Sequence, residues 1–231
     1  HHAVQALAGT DIPLGIVPAG TGNDIARALR IPSKLTKSVP LALGPVRPID
    51  LVSLCDEAGV ESYAVSVLTA GFSGRVTQAA NQISWAGGQL KYTVATLWCL
   101  PKLRQHAVEG LPGHDVFSIL AFGNTRFFGG GMSICPTASP FDDRIELVIV
   151  DAVHPLHLAA VLPAAFVGQH VRSRKVHVEQ LRHTQLEVDT SWWADGEPLP
   201  QSGPVTIRSV PKALQLAVGV ADGGRTSGTD A

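Results

Sequence analysis

Hydrophobic and polar residues follow two different patterns along the chain, and the pattern changes near Pro48. Before Pro48, the apolar residues Leu14, Ile16 and Val17 predict a short buried strand. Helices are predicted after this strand at residues 25–29 and 39–43. Alternation of strands and helices is typical of an α/β unit.

After Pro48, short apolar segments recur about every ten residues, separated by turn-forming residues. This pattern favours a β-sandwich, into which helices are inserted at residues 73–80, 89–100 and 156–167. The strands are predicted at residues 49–52, 63–67, 116–122, 132–136, 145–150, 175–180, 186–190, 205–209 and 214–218. The sequence thus predicts an α/β piece at residues 1–47, a β-rich domain at residues 48–211 and a disordered tail at residues 221–231.

The composition is that of a globular chain with little net charge. Hydrophobic residues make up 45% of the 231 residues and charged residues 16%, which suffices for a sizeable core. The net charge of −1 argues against non-specific nucleic-acid binding, which needs a basic surface. The three cysteines are widely spaced and predict free thiols in a reducing compartment. The histidines lack the HExxH spacing of a zinc motif, so no metal is assigned to them.

The segment PLGIVPAGTGND at residues 13–24 is the first candidate for chemistry. A strand, a Gly-rich turn and a helix start present backbone N–H groups to phosphate, here through Gly20, Thr21, Gly22 and Asn23. A carboxylate at Asp24 would repel phosphate unless a cation such as Mg²⁺ lay between them, so the loop suggests a magnesium nucleotide. The alternative is a capped helix, with Asn23 or Asp24 as its N-cap.

Two further carboxylates are candidates for a catalytic site. Asp50 interrupts the apolar strand IDLV, where a charge is costly unless it is hydrogen-bonded, paired or bound to metal. Asp195 precedes Gly196 and lies two residues after Trp193, and burial beside an aromatic ring would raise its pKa and make it a better base. The alternatives are a capped turn at Asp50 and an Asp-Gly hairpin turn at Asp195. From the residues alone, both alternatives are favoured.

The segment GIVPAGTGNDIAR closely resembles the second motif of the diacylglycerol kinase catalytic family, which includes bacterial lipid kinases, sphingosine kinases and ceramide kinases. The resemblance extends in the same order over nearly the whole chain, to about residue 220. It rests on RPIDLVS, the AGF turn, GNTRFFGGGMSICPTA, DDRIELVIV and ADGEPLP. The resemblance implies a partial Rossmann-like nucleotide-binding α/β domain followed by a β-sandwich domain. It also implies that residues 212–220 return to pack against the first domain.

The resemblance implies a role for each candidate residue. It makes Asp195 the general base, with Glu197 beside it as a tuning group. With the resemblance, metal binding replaces the capped turn as the favoured interpretation of Asp50. The resemblance also assigns nucleotide binding to residues 20–23, and a catalytic Mg²⁺ network to Asp24 and Asp50. Asp142 matches a position that holds a second, structural Mg²⁺ in some family members, but Asp143 replaces the usual Gly there, which favours a solvated turn.

The resemblance implies an ATP-dependent lipid kinase that transfers the γ-phosphoryl group to the hydroxyl of diacylglycerol or a similar lipid. Such an enzyme would be cytoplasmic and peripherally bound to a membrane surface, and a homodimer is left open. The hallmark GGDGT motif of the family is absent, so the chain is expected to be an N-terminally truncated member. Two rival hypotheses are an NAD-kinase-like phosphotransferase and a non-catalytic lipid-binding fragment.

Overall fold

A computed structural model of the chain describes residues 1–20, 22–85 and 88–218. The predicted tail at residues 221–231 lies outside these ranges. The helices are α1 (His2–Leu7), α2 (Asp24–Ala28), α3 (Leu35–Ala42), α4 (Phe72–Gln82), α5 (Gly88–Cys99) and α6 (Pro155–Ala165). The strands are β1 (Leu14–Gly15), β2 (Val46–Asp56), β3 (Glu61–Ala64), β4 (Val67–Gly71), β5 (His106–Glu109), β6 (Val116–Gly123), β7 (Ile145–Asp151), β8 (Val176–Leu181), β9 (His183–Val188), β10 (Trp192–Ala194), β11 (Glu197–Pro198) and β12 (Val205–Ala217).

The strands form one curled sheet that folds back on itself as a sandwich. One wall runs β11-β10-β4-β6-β7-β8 and the other runs β9-β12-β2-β3, and β5 joins them by pairing with both β6 and β9. All pairs are antiparallel except β1, which joins β12 in parallel. The expected α/β plus β-sandwich architecture is confirmed.

Three apolar cores hold these layers together. The largest lies between the two walls and includes the fully buried Phe117, Phe122 and Trp192. A second core lies on the outer face of the β4-β6-β7 wall, where α4, α5 and α6 cover it. A third core joins α1 and β1 to the ends of β2 and β12, around Ile49 and Leu214.

Strands β2 and β12 run through the predicted boundary between the two parts. Their outer ends pair with each other at Arg47 and Leu216, and Leu216 also pairs with Leu14 of β1. The register of β12 shifts between Val210 and Leu214. The two strands predicted at residues 205–209 and 214–218 are therefore one bent strand.

One predicted strand is wrong. Residues 132–136 form bends and turns outside any strand, and Met132 makes an isolated bridge with Phe128. The apolar spacing that suggested a strand arises because Met132 and Ile134 point into a pocket described below. The strand predicted at residues 63–67 is also interrupted, since β3 ends at Ala64 and β4 begins at Val67.

Among the described residues, none of the helices is both long and apolar enough to pass through a membrane.

Candidate active site

Asp195 lies at the tip of the hairpin formed by β10 and β11. Ala194 pairs with Glu197, so Asp195 and Gly196 form a two-residue turn. Their φ angles of 53° and 96° are those of a type I′ turn, which Asp-Gly favours. The hairpin interpretation of this sequence is therefore correct, and it leaves the role of the carboxylate open.

The carboxylate of Asp195 accepts three successive backbone N–H groups. Oδ2 accepts from Val65 at 2.9 Å, and Oδ1 accepts from Ser66 at 2.8 Å and from Val67 at 3.3 Å. These N–H groups point at the carboxylate, which accounts for the break between β3 and β4. Burial raises the pKa of Asp195 above the ordinary aspartate value, and the three N–H groups lower it without reversing that direction.

Ser66 extends this network to the loop that follows β6. Its carbonyl accepts the N–H groups of Asn124 and Thr125, and its hydroxyl donates to the carbonyl of Phe127. The buried Asn124 side chain donates to the carbonyls of Asp50 and Val65. The loop is therefore held against the break between β3 and β4, where the N–H groups that bind Asp195 also lie.

Asp24, the first residue of α2, contacts the three-glycine segment of this loop. Its Oδ2 accepts the N–H of Gly130 at 2.9 Å, while its buried Oδ1 has no hydrogen-bond partner among the described residues. Burial raises the pKa of Asp24, against the opposing effects of the Gly130 N–H and the Arg27 guanidinium. A side chain at Gly131, where φ is 106°, would collide with that guanidinium.

A cleft of about 270 Å³ brings these groups together. Gly22, Asn23 and Asp24 line it, and so do Asp195 and Gly196. The structure therefore unites residues that the sequence could relate only through the family resemblance.

Asn23 lies in this cleft but also supports the loop itself. Its φ of 52° is left-handed, and its side chain accepts from the N–H of Gly20 and donates to the Gly20 carbonyl. It is the N-cap residue of α2, as the capped-helix alternative proposed, although its side chain makes no capping bond. Thr21 lies outside the described residues.

A second, apolar pocket of about 80 Å³ adjoins the cleft. It lies between α4, α5, α6 and the outer face of the β4-β6-β7 wall, and Tyr92 and Phe128 line both the pocket and the cleft. Burial raises the pKa of the Tyr92 hydroxyl, and so do the charges of Asp24 and Glu197. Its lining includes Phe72, Val76, Ile119, Leu158, Val161 and Leu162.

Sequence reasoning missed both Tyr92 and this pocket. Tyr92 lies within a predicted helix, where an aromatic residue on an apolar face indicates only core packing. The sequence signal for the pocket was the set of apolar residues in the predicted helices and at residues 132–136. In the structure these side chains surround the pocket.

Asp50 takes a position different from the one expected of a partner to Asp24. It is 4% exposed and is not among the residues that line the cleft. Its Oδ1 accepts the N–H of Lys212 and its Oδ2 accepts the N–H of Asp143, each at 2.8 Å. Lys212 and Asp143 both have left-handed φ values, of 55° and 56°. Asp50 thus fixes two unusual backbone conformations, and its metal role stays a prediction.

The other residues predicted from the sequence lie near Asp50 or Asp195. The Asp142 carboxylate accepts the N–H of Arg144, and its pKa is raised by burial and by the nearby charge of Asp50. The Asp143 carboxylate pairs with Arg182. Glu197 is exposed at the start of β11, beside the Asp195 turn.

Comparison with known proteins relates both parts of the chain to one group. Residues 1–54 match the family model of the diacylglycerol kinase catalytic domain, and residues 66–218 match that of the YegS C-terminal NAD kinase beta sandwich-like domain. The chain is 36% identical over 226 residues to a diacylglycerol kinase of Mycobacterium tuberculosis, covering 93% of this chain and 72% of that protein. It is 30% identical to the Pseudomonas putida protein named "Probable lipid kinase YegS-like", covering 92% and 70%.

Solved structures give the same picture for the fold. The crystal structure of a diacylglycerol kinase from Bacillus anthracis aligns with a TM-score of 0.60 at 15% identity, covering 93% of this chain and 70% of that one. A second chain from the same organism gives a TM-score of 0.66 at 16% identity. At such low identity the likeness concerns the fold alone.

The hydrogen bonds of Asp50 predict a test of its role. In buffer with EDTA, Asp50→Ala should lower the free energy of unfolding by about 2–4 kcal/mol, because two partly buried N–H groups with left-handed φ values lose their acceptor. Asp50→Asn keeps one acceptor oxygen and should cost roughly half as much. Urea unfolding followed by circular dichroism measures both changes. Glu57→Ala, at an exposed position, is the control. Unchanged stability of Asp50→Ala without metal would contradict the structural role.

Proposed function

The chain belongs to the diacylglycerol kinase family, and we propose that it transfers the γ-phosphoryl group of ATP to the hydroxyl of a lipid such as diacylglycerol. One observation carries the proposal. The cleft that holds Asp195 and the loop at residues 22–24 shares Tyr92 and Phe128 with an apolar pocket. A phosphate-binding loop, a carboxylate base and a site for an alkyl chain are what such a reaction requires of its enzyme.

Phosphate binding is assigned to residues 20–23 at the start of α2. Gly20 and Gly22 allow close approach of a ligand to the backbone. Asn23 fixes the loop through its two hydrogen bonds to Gly20. Because α2 has only five residues, the loop N–H groups are expected to contribute more than the helix dipole.

Mg²⁺ fits the surroundings of Asp24. The buried Oδ1 of Asp24 has no hydrogen-bond partner among the described residues, and a buried carboxylate oxygen is costly without one. A carboxylate oxygen is a ligand that Mg²⁺ prefers. When bound, the ion would neutralise charge on the phosphate oxygens.

Asp195 is the proposed general base for the lipid hydroxyl. Its carboxylate lines the cleft, and its raised pKa makes it a stronger proton acceptor than an ordinary aspartate. Its three N–H contacts hold the carboxylate in one orientation, which favours proton transfer along a fixed path. Glu197 follows it in the same hairpin and acts on the site through its charge.

The apolar pocket is the proposed site for an acyl chain. Its lining is almost entirely hydrocarbon, so each buried methylene would gain about 0.8 kcal/mol. This feature favours a lipid acceptor over the polar dinucleotide of an NAD kinase. A protein that binds lipid without transferring phosphate would also use this pocket, and the activity test below separates the two functions.

The outer face of α5 is the proposed membrane contact. Leu90, Leu97 and Trp98 are 57%, 55% and 62% exposed on this helix, and the inner face of α5 lines the acyl pocket. The exposed Lys102 and Arg104 follow the helix and would attract anionic lipid headgroups. A lipid leaving the bilayer would therefore meet α5 first.

The role of Asp195 predicts a large loss of activity on neutral substitution. Asp195→Asn should lower kcat for phosphate transfer from ATP to diacylglycerol by about 10²–10⁴, since a general base contributes that much. Asn keeps one acceptor oxygen for the N–H groups of Ser66 and Val67 and suits the turn, and circular dichroism checks that the variant is folded. Radiolabelled transfer to a lipid panel, by the full protein expressed from its gene, measures the effect.

In the same assay, wild-type activity should rise with pH through an acidic limb. This limb should lie above the ordinary aspartate pKa of about 3.9, because the raised pKa keeps Asp195 protonated to higher pH. Asp189→Asn, at an exposed acid outside the cleft, is the matched control. Undiminished activity of Asp195→Asn would exclude the base role, and a folded wild type that binds lipids without transfer would support the binding module.

The acyl pocket predicts a substitution that discriminates by chain length. Val161→Phe should raise KM for long-chain acceptors at least tenfold and leave short-chain acceptors within about twofold, because the larger side chain occupies the pocket. Leu156→Phe, at a position of α6 that is 74% exposed, is the control. Equal effects on long and short chains would place the acyl group elsewhere.

The exposed face of α5 predicts weaker membrane binding after polar substitution. Trp98→Ser combined with Leu97→Ser should reduce co-sedimentation with phosphatidylglycerol vesicles several-fold, because both apolar anchors are lost. Leu43→Ser, at a leucine that is 85% exposed at the end of α3, should leave it unchanged. Equal losses in the two variants would remove α5 as the contact.

A further inference from the structure

Three side chains from different strands and loops converge at one end of the sandwich. His114 lies in the turn before β6, Asp151 ends β7, and His177 lies in β8. The nearest nitrogen of each ring approaches the same carboxylate oxygen. Nδ1 of His114 is 3.4 Å from Asp151 Oδ1, and Nε2 of His177 is 3.2 Å from it. All three potential ligand atoms lie within 4.8 Å of one another.

We propose that His114, Asp151 and His177 form a binding site for a divalent transition-metal ion, with Zn²⁺ as the best-fitting ion. Zinc binds nitrogen and carboxylate oxygen at about 2.0–2.1 Å, so neighbouring ligands in a tetrahedral site are about 3.3 Å apart. Both separations from Asp151 Oδ1 match that value, and the two ring nitrogens lie within 4.8 Å of each other. They are longer than the roughly 2.7–2.9 Å of a charge-assisted hydrogen bond between imidazolium and carboxylate.

The environment of the second carboxylate oxygen of Asp151 indicates that the metal ion would bind only Oδ1. Lys175 approaches Oδ2 at 3.6 Å, so this oxygen already has a partner while Oδ1 faces the two rings. A second contact of this kind commonly orients a metal-binding carboxylate. The nearby ammonium group also opposes a cation, which predicts moderate affinity.

Partial exposure makes the cluster accessible to an ion from solution. The side chains of His114, Asp151 and His177 are 13%, 24% and 41% exposed. A water molecule could therefore complete a four-ligand site. Imidazole selects Zn²⁺, Cu²⁺ or Ni²⁺ over Mg²⁺, so this site would not compete for the catalytic ion.

The position of the cluster indicates a structural role. None of its three residues lines the cleft or the apolar pocket. Val150 and Val176, which pair across β7 and β8, do line the pocket, and each directly precedes a residue of the cluster, Asp151 or His177. Side chains alternate between the faces of a strand, so Asp151 and His177 lie on the opposite face of the same strand pair. A bound ion would fasten the His114 turn to the strands that form the pocket wall.

Metal titration of the untagged, EDTA-treated chain tests the proposal. Zn²⁺ followed by calorimetry and Co²⁺ followed by visible absorption should each show one site per chain. Zn²⁺ should also raise the midpoint of thermal unfolding. His114→Gln and His177→Gln should each weaken binding at least tenfold, and the double variant should abolish it.

The controls make the assignment specific. His183→Gln, at an exposed histidine of β9, should bind as the wild type does. Circular dichroism of each variant checks that the fold is retained. Binding that persists in the double variant would assign the ion to other ligands, such as the free thiols, and would overturn the proposal. No saturation up to millimolar Zn²⁺ would overturn it as well, leaving a hydrogen-bonded cluster without metal.

Discussion

The site depends on the hydrogen bonds that three consecutive backbone N–H groups donate to the Asp195 carboxylate. Without them, β3 and β4 could continue as one strand, and Ser66 would lose the conformation that binds the loop after β6. That loop carries Gly130, whose N–H reaches Asp24. The loop, held by Ser66 at Phe127 and by Asp24 at Gly130, therefore joins the two acids of the cleft, although they belong to opposite ends of the sequence.

The same arrangement sets the chemical character of Asp195. Three N–H groups favour the charged carboxylate, whereas burial disfavours it, and burial prevails. A carboxylate held by N–H groups alone would be a weak base, and one that was only buried would lack a fixed orientation. The combination holds the carboxylate in one orientation while its pKa stays above the ordinary aspartate value, which is what the proposed base requires.

The sequence predicted those features that depend on near neighbours. The sandwich, the helices α4, α5 and α6 and the Asp-Gly turn follow from local periodicity and turn chemistry. The break at Val65 did not, because the acceptor for its N–H lies 130 residues away. The apolar residues at 132–136 line a pocket as turns, which periodicity cannot distinguish from a strand. Likewise, the His114, Asp151 and His177 cluster is formed by strand pairing, so no spacing motif marks it.

Asp50 connects the cleft to the geometry of the whole chain. Strands β2 and β12 are shared by the sandwich and by the α1 and β1 region, and β12 bends where its register shifts between Val210 and Leu214. Lys212 lies in that bend with a left-handed backbone conformation, and its N–H donates to the Asp50 carboxylate. The bend of β12, which both regions share, is thus held by a carboxylate outside the cleft.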